Sequence, residues 1–214
     1  MVKYIYGLQW FQGKDILIDI VSAGVLLLIA IFAIRYYYIK KNSNNLALST
    51  AFSLLTASLV FKIILNLNIY SGAIFSILFM LYRLSTFGAV YVLYTIYRKQ
   101  SISDIILASY FMLVVTYFTY NQYYAFYLTL FVMFALFTFD FSKRYINKKR
   151  FTTKLVAYGF GVITFSQIIF SLVTVRTLFY AVGELIQLVG YIILLIAFIL
   201  VLTHGRKEDK SRHY

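Results

Sequence analysis

The chain has 214 residues, of which 62% are hydrophobic and 13% charged, with no Pro, no Cys and a formal net charge of +13. Soluble domains run at about 45–50% apolar and about 25% charged residues, so this chain could not cover its own core with polar surface, and a water-soluble fold is excluded. The missing cysteines exclude disulfide scaffolds, thiol chemistry and Cys-based zinc sites. With only 7 acids and 2 His, no metal site and no cofactor are expected.

What remains is an all-α, polytopic membrane protein. The apolar runs are continuous and lack the period-two alternation of a transmembrane β-barrel. Residues 1–15 read as a short outer segment in which Tyr4–Phe11, with Trp10, sits at the membrane interface, where amphipathic rings are favoured. The apolar run after Lys14 is too long for a signal peptide, and no small-residue cleavage pattern follows it. A crossing helix needs about 20 apolar residues. Seven candidates fill residues 16–204: Ile16–Tyr38, Leu46–Leu67, Ala73–Tyr97, Ile102–Thr119, Tyr123–Phe141, Phe151–Val175 and Leu178–Thr203. Short polar breaks separate them, and the break at Tyr120–Tyr123 carries no charge. As one helix, residues 102–141 would reach about 60 Å, so two helices and a tight turn are expected there. Residues 205–214 form a basic tail.

Lys and Arg stay on the cytoplasmic side of short loops. The first, third and fifth loops carry Arg35, Lys40, Lys41, Arg98, Lys99, Lys143, Arg144, Lys148, Lys149, Arg150 and Lys154, and the tail carries Arg206, Lys207, Lys210 and Arg212. The opposite side holds only Lys3, Lys14 and Arg176. This asymmetry places the N-terminus outside and the C-terminus in the cytoplasm of a multi-pass cell-membrane protein. It also assigns the net charge to topology and anionic lipid rather than to nucleic acid.

A shift of 108 residues aligns the first span with the fifth and the second with the sixth, without gaps. Tyr37 falls on Tyr145, Lys40-Lys41 on Lys148-Lys149, Phe52 on Phe160, Thr56 on Thr164 and Ser58 on Ser166. Shared composition and the common charge rule account for matches of this number, so the sequence favours that explanation over a duplicated three-helix unit.

Ionisable residues at the centre of a span cost at least about 2.5–3.5 kcal/mol, and each asks for a partner or a role. Asp104, Asp140 and Lys154 lie at span ends and need only a structural explanation. Asp15 and Asp19, one turn apart, suit a helix entry better than a cation site. In the outer half, Asp19, Lys62, Arg83, Gln167, Glu184 and Gln187 come from five spans at overlapping depth. They are the candidate ligand or proton site, with an Arg83–Glu184 pair expected at its floor. Gly183, Glu184, Gln187, Gly190 and Tyr191 share a helical stripe whose small residues allow close helix approach. The 21 Tyr and 21 Phe are read as core and lipid-facing residues without chemistry.

Arg83 in the third span resembles the buried arginine of microbial rhodopsins, and seven spans with an outer N-terminus resemble their topology. The last span lacks the lysine that retinal attachment requires, so no retinal is implied. The run from Arg35 to Lys41 ahead of Leu46–Phe52, and Leu185–Tyr191 in the last span, are similar to seven-helix sensor regions of archaeal and bacterial signalling proteins. That resemblance implies a receptor-like protein that binds a small ligand. Ten residues follow His204, so its signal is expected to pass to a separate cytoplasmic or membrane partner. Three-plus-one-plus-three sugar transporters share the topology but carry prolines that this chain lacks, leaving Gly159 and Gly161 as the candidate helix breaks. No enzyme motif is present, and enzymatic activity is not expected. A small transporter, a proton-coupled carrier and a structural subunit of a membrane complex are the alternatives.

Overall fold

The computed structural model describes residues 11, 13–67, 72–96, 102–119, 122–148 and 151–210. The aromatic segment Tyr4–Trp10 therefore lies outside the described residues. Seven α-helices follow one another: α1 Lys14–Lys40, α2 Ser43–Asn66, α3 Gly72–Thr95, α4 Ile102–Thr119, α5 Tyr123–Lys148, α6 Phe151–Ser171 and α7 Leu178–Lys210. A single 3-10 turn, Leu172–Thr174, extends α6. Six helices are long and apolar enough to cross a membrane, and α4 is the shorter apolar one. No strand occurs among the described residues.

Local chemistry sets the helix ends. Gly13 enters α1 at a φ of 86°, a left-handed conformation that only glycine adopts without strain. Asp15 in the first turn accepts the backbone N–H groups of Gly13 and Ile16, each at 3.0 Å, and Asn66 Nδ2 donates to its other oxygen at 3.3 Å. Asp15 is thus a helix-entry residue. Asn42 caps α2 by accepting the Asn44 N–H at 3.0 Å, the usual way of satisfying a free N-terminal donor. α6 runs unbroken through Gly159 and Gly161, so neither glycine opens the helix. α7 continues seven residues past Thr203, into the segment read from sequence as a tail.

The helices form a closed ring in chain order. Each packs on its sequence neighbours, α7 closes against α1, and α4 touches only α3 and α5 among the described residues. The starts of α1, α5 and α7 and the ends of α2 and α6 gather at one end, the triad end, named for the ionic triad of Asp19, Lys62 and Glu184. α3 finishes at the opposite, basic end and α5 begins at the triad end, so α4 carries the chain the full way back. It does so on the ring's periphery. Ile106, Leu107, Tyr110, Phe111, Tyr117 and Phe118 are exposed, while Met112 and Val115 pack on the core.

The two halves of the ring repeat. Shifted by 108 residues, Lys14–Lys40 becomes 122–148 against α5 at Tyr123–Lys148, and Ser43–Asn66 becomes 151–174, the span of α6 with its 3-10 turn. Thr56 donates to Phe52 O at 2.9 Å and Thr164 to Phe160 O at 2.7 Å. Ser58 donates to Leu55 O and Ser166 to Ile163 O, both at 2.7 Å. The helix-to-helix contacts repeat as well. Asp19 meets Lys62 across α1 and α2, and their shifted counterparts Tyr127 and Phe170 stack across α5 and α6 at 4.8 Å. Composition alone does not dictate that corresponding positions meet, so these contacts weigh for a repeated three-helix unit.

Candidate functional site

Three helices deliver charge to one point at the triad end. Asp19 lies five residues after the first residue of α1, Lys62 four before the last of α2, and Glu184 six after the first of α7. At 1.5 Å per residue these are depths of about 6–9 Å from the helix ends. Lys62 Nζ donates to Asp19 Oδ1 at 2.8 Å and also to Glu184 Oε1. Asp19 has no exposed surface and Glu184 only 3%, whereas the Lys62 side chain retains 11%. Lys62 is therefore the member through which the cluster meets its surroundings. The two carboxylates are held side by side because both accept from the same Lys62 Nζ.

Aromatic groups close the other sides. Lys62 Nζ sits 5.6 Å from the centroid of the Tyr180 ring, a cation–π arrangement. Tyr123 and Tyr127 on α5 meet at 4.7 Å between ring centroids. Rings link these groups into one wall. Phe11 meets Tyr180 at 6.3 Å, Tyr180 meets Phe170 at 6.0 Å, and Phe126 meets both Tyr127 at 5.0 Å and Tyr82 at 5.6 Å.

Three of the six expected residues are thus brought together, and three are placed elsewhere. Arg83 does not pair with Glu184. It is 1% exposed, and its Nη1 donates to the carbonyl oxygen of Thr119, the last residue of α4. Its guanidinium lies 4.2 Å from the Phe79 ring centroid and 4.6 Å from that of Phe126. The cause is the shortness of α4. A helix C-terminus leaves carbonyls without intrahelical donors and carries partial negative charge. With no charge in the α4–α5 turn, the nearest cation is drawn to that end. Gln122 N–H also donates to Thr119 O, at 3.0 Å, so Arg83 pins a corner of α3, α4 and α5.

Gln167 is buried at 1%, and its Nε2 donates to Ile163 O at 3.4 Å and Ser166 Oγ at 3.1 Å, both on its own helix. Gln187 Nε2 donates to the Tyr191 hydroxyl at 2.6 Å. Neither amide reaches the triad. No group of three or more His, Cys, Asp or Glu side chains suited to a metal ion occurs among the described residues.

The tyrosines are the part that sequence reasoning missed. A signal for Tyr127 existed: it is the 108-residue counterpart of Asp19. Applying the shift to the candidate site would have paired the charged half with an aromatic half.

The corrected geometry changes what double substitution should do. Arg83 and Glu184 share no partner, so Arg83→Met and Glu184→Gln are expected to lower stability additively, within about 0.5 kcal/mol. Arg83→Met alone should cost about 1–3 kcal/mol, the penalty for stripping a buried carbonyl of its charged donor. Thermal denaturation of the two single variants and the double variant in detergent measures both; recovery in the double variant would restore the direct pair.

No known protein family, curated protein or solved structure matches the chain.

Proposed function

We propose that the protein is a seven-span membrane receptor-like sensor, with its N-terminus outside, its basic end in the cytoplasm and its ligand site in the outer part of the bundle. The observation that carries this reading is the depth of the Lys62 cluster. Carrier sites lie near the bilayer midplane, commonly at broken helices, about 15 Å from either face of a 30 Å core. Asp19, Lys62 and Glu184 lie about 6–9 Å from the ends of their helices, and α1, α2 and α7 are continuous around them. A site near one end of unbroken helices suits detection rather than passage. Signalling to a separate partner rests on the basic end, where Lys41, Lys143 and Arg144 gather.

The path of α4 supports a seventh crossing beside the six longer helices. Its 18 residues reach about 27 Å, a shortfall of a few ångströms that a bilayer absorbs by local thinning or flanking-residue adjustment. A second reading, a small proton-coupled carrier, is favoured by the repeated halves, because paired repeats rocking about a common site are a frequent transport design.

Two measurements test these readings. Cysteines introduced at Asn44, Asn147 and Ser211 should label from the cytoplasmic side, and those at Gln12 and Asn121 from outside. Labelling of Gln12 and Ser211 from one side would overturn the seven-span count. For function, proteoliposomes carrying a fluorophore at residue 147 are exposed to outer jumps of acid, sodium, potassium or an alkylammonium salt. A sensor gives a fluorescence response with unchanged lumen contents, and a carrier changes the lumen. A purely structural subunit does neither.

A further inference from the structure

Charge accounting at the triad does not close. Two carboxylates, Asp19 and Glu184, face one ammonium, Lys62, and both acids are buried. With every group in its usual ionisation state the cluster carries one net negative charge. An uncompensated charge in low dielectric costs several kcal/mol, so a further positive charge belongs there.

Among the described residues the neighbours do not supply it, since Lys14 and Arg176 at this end are exposed. On α1, Asp15 is tied to Asn66 at the helix entry and would add negative charge, not positive. Tyr82 on α3, Tyr123 and Tyr127 on α5 and Tyr180 on α7 form the adjoining aromatic wall and carry no positive charge. α6 contributes the uncharged Gln167, and α4 reaches only α3 and α5. Arg83 is committed to the end of α4. Meanwhile Asp19 Oδ2 is buried and has no hydrogen-bond partner among the described residues. That is a free acceptor oxygen on a carboxylate adjacent to a second carboxylate.

We infer that the site binds a proton, shared between Asp19 and Glu184, and that this proton is the ligand the sensor detects. The inference rests on reading the triad as the ligand site. Two carboxyl groups gathered on one ammonium hold a proton between them, because like charges side by side disfavour ionisation of both. The pair then titrates as a unit rather than as two residues. With the proton bound, the network is neutral and joins α1, α2 and α7. Loss of the proton to the outer solution leaves a net negative charge across the seam where α7 closes the ring against α1. The partly exposed Lys62 side chain marks the exchange route, and Tyr180 stands beside it.

Infrared spectroscopy of the purified protein in lipid, with proton or deuteron exchange, tests this directly. The wild type should show the C=O stretch of a buried protonated carboxyl in neutral buffer, and the band should disappear in alkaline buffer. Asp19→Asn and Glu184→Gln, which mimic the protonated state at one member, should each lose the band. In the same variants thermal stability should no longer fall as the buffer turns alkaline, whereas that of the wild type should. Absence of the band at every pH where the wild type remains folded overturns the inference. So does its persistence in both variants, which would move it to Asp104 or Asp140. Stabilisation by sodium or potassium without a band would also overturn it, naming a metal cation as occupant. A band without a fluorescence response at residue 147 keeps the proton and sinks the sensor; a response to another ion without a band does the reverse.

Discussion

Lys62→Met should lower the unfolding free energy by about 3–5 kcal/mol, the cost of removing one partner from a buried ionic cluster. The side chain length is retained, so the loss is chiefly electrostatic: Asp19 and Glu184 are left facing one another without the ammonium that both accept from. Glu184→Gln is expected to be mild by comparison, because it leaves a neutral Lys62–Asp19 pair. The order of the two effects is the informative result. Lys62→Met combined with Asp19→Asn and Glu184→Gln removes every charge from the site and should regain most of the loss. Thermal and chemical denaturation in detergent read all four proteins. If Lys62→Met unfolds no more readily than Glu184→Gln, the ammonium does not organise the site.

Gly190→Ala should cost about 1–3 kcal/mol, the range for overpacking, and Gly190→Val more. A Cβ at Gly190 would stand 2.6 Å from Ile163 Cγ1, 3.2 Å from Gly159 O and 3.2 Å from Ile163 N. The Ile163 side chain must rearrange, and the two backbone atoms at 3.2 Å require α6 and α7 to part by a few tenths of an ångström. Gly24 is the control. Nothing lies within 4 Å of its Cβ position, and Gly24→Ala should be neutral or gain up to about 1 kcal/mol from helix propensity. Equal melting temperatures for Gly190→Ala and Gly24→Ala would show that α6 and α7 do not touch at this point.

The helices and their order were legible because apolar length and charged breaks are local signals. Even the uncharged break between spans four and five agrees with the end of α4 at Thr119 and the start of α5 at Tyr123. Close packing along the Gly183–Gly190 stripe was legible as well, since small residues at helical spacing imply it. The partner of Glu184 was not. Depth along a span tells which residues share a layer, but not which helices are adjacent in the ring. Arg83 and Glu184 have comparable depth, yet α7 borders α1 and α6, whereas Arg83 sits on α3 beside the end of α4. Lys62 stood among the candidates, but depth alone does not join it to Asp19 on the adjoining α1 or to Glu184 on α7, which α1 separates from α2 in the ring. Pairing across helices depends on ring order, and no single span encodes that.

The peripheral helix α4 has a consequence for how such a chain is made. In a gene that joins two three-helix units end to end, the second unit begins on the side where the first finished. Its basic turn at Lys143 and Arg144 would then be drawn to the wrong face. In the proposed seven-span topology α4 is the added crossing that reverses that, and it needs only enough apolar length to pass. Insertion parity therefore asks little of the α4 sequence beyond hydrophobicity and a Thr119 end for Arg83 to hold. Its outward residues are free to drift among apolar types, while the six helices it separates must keep the contacts that hold them together.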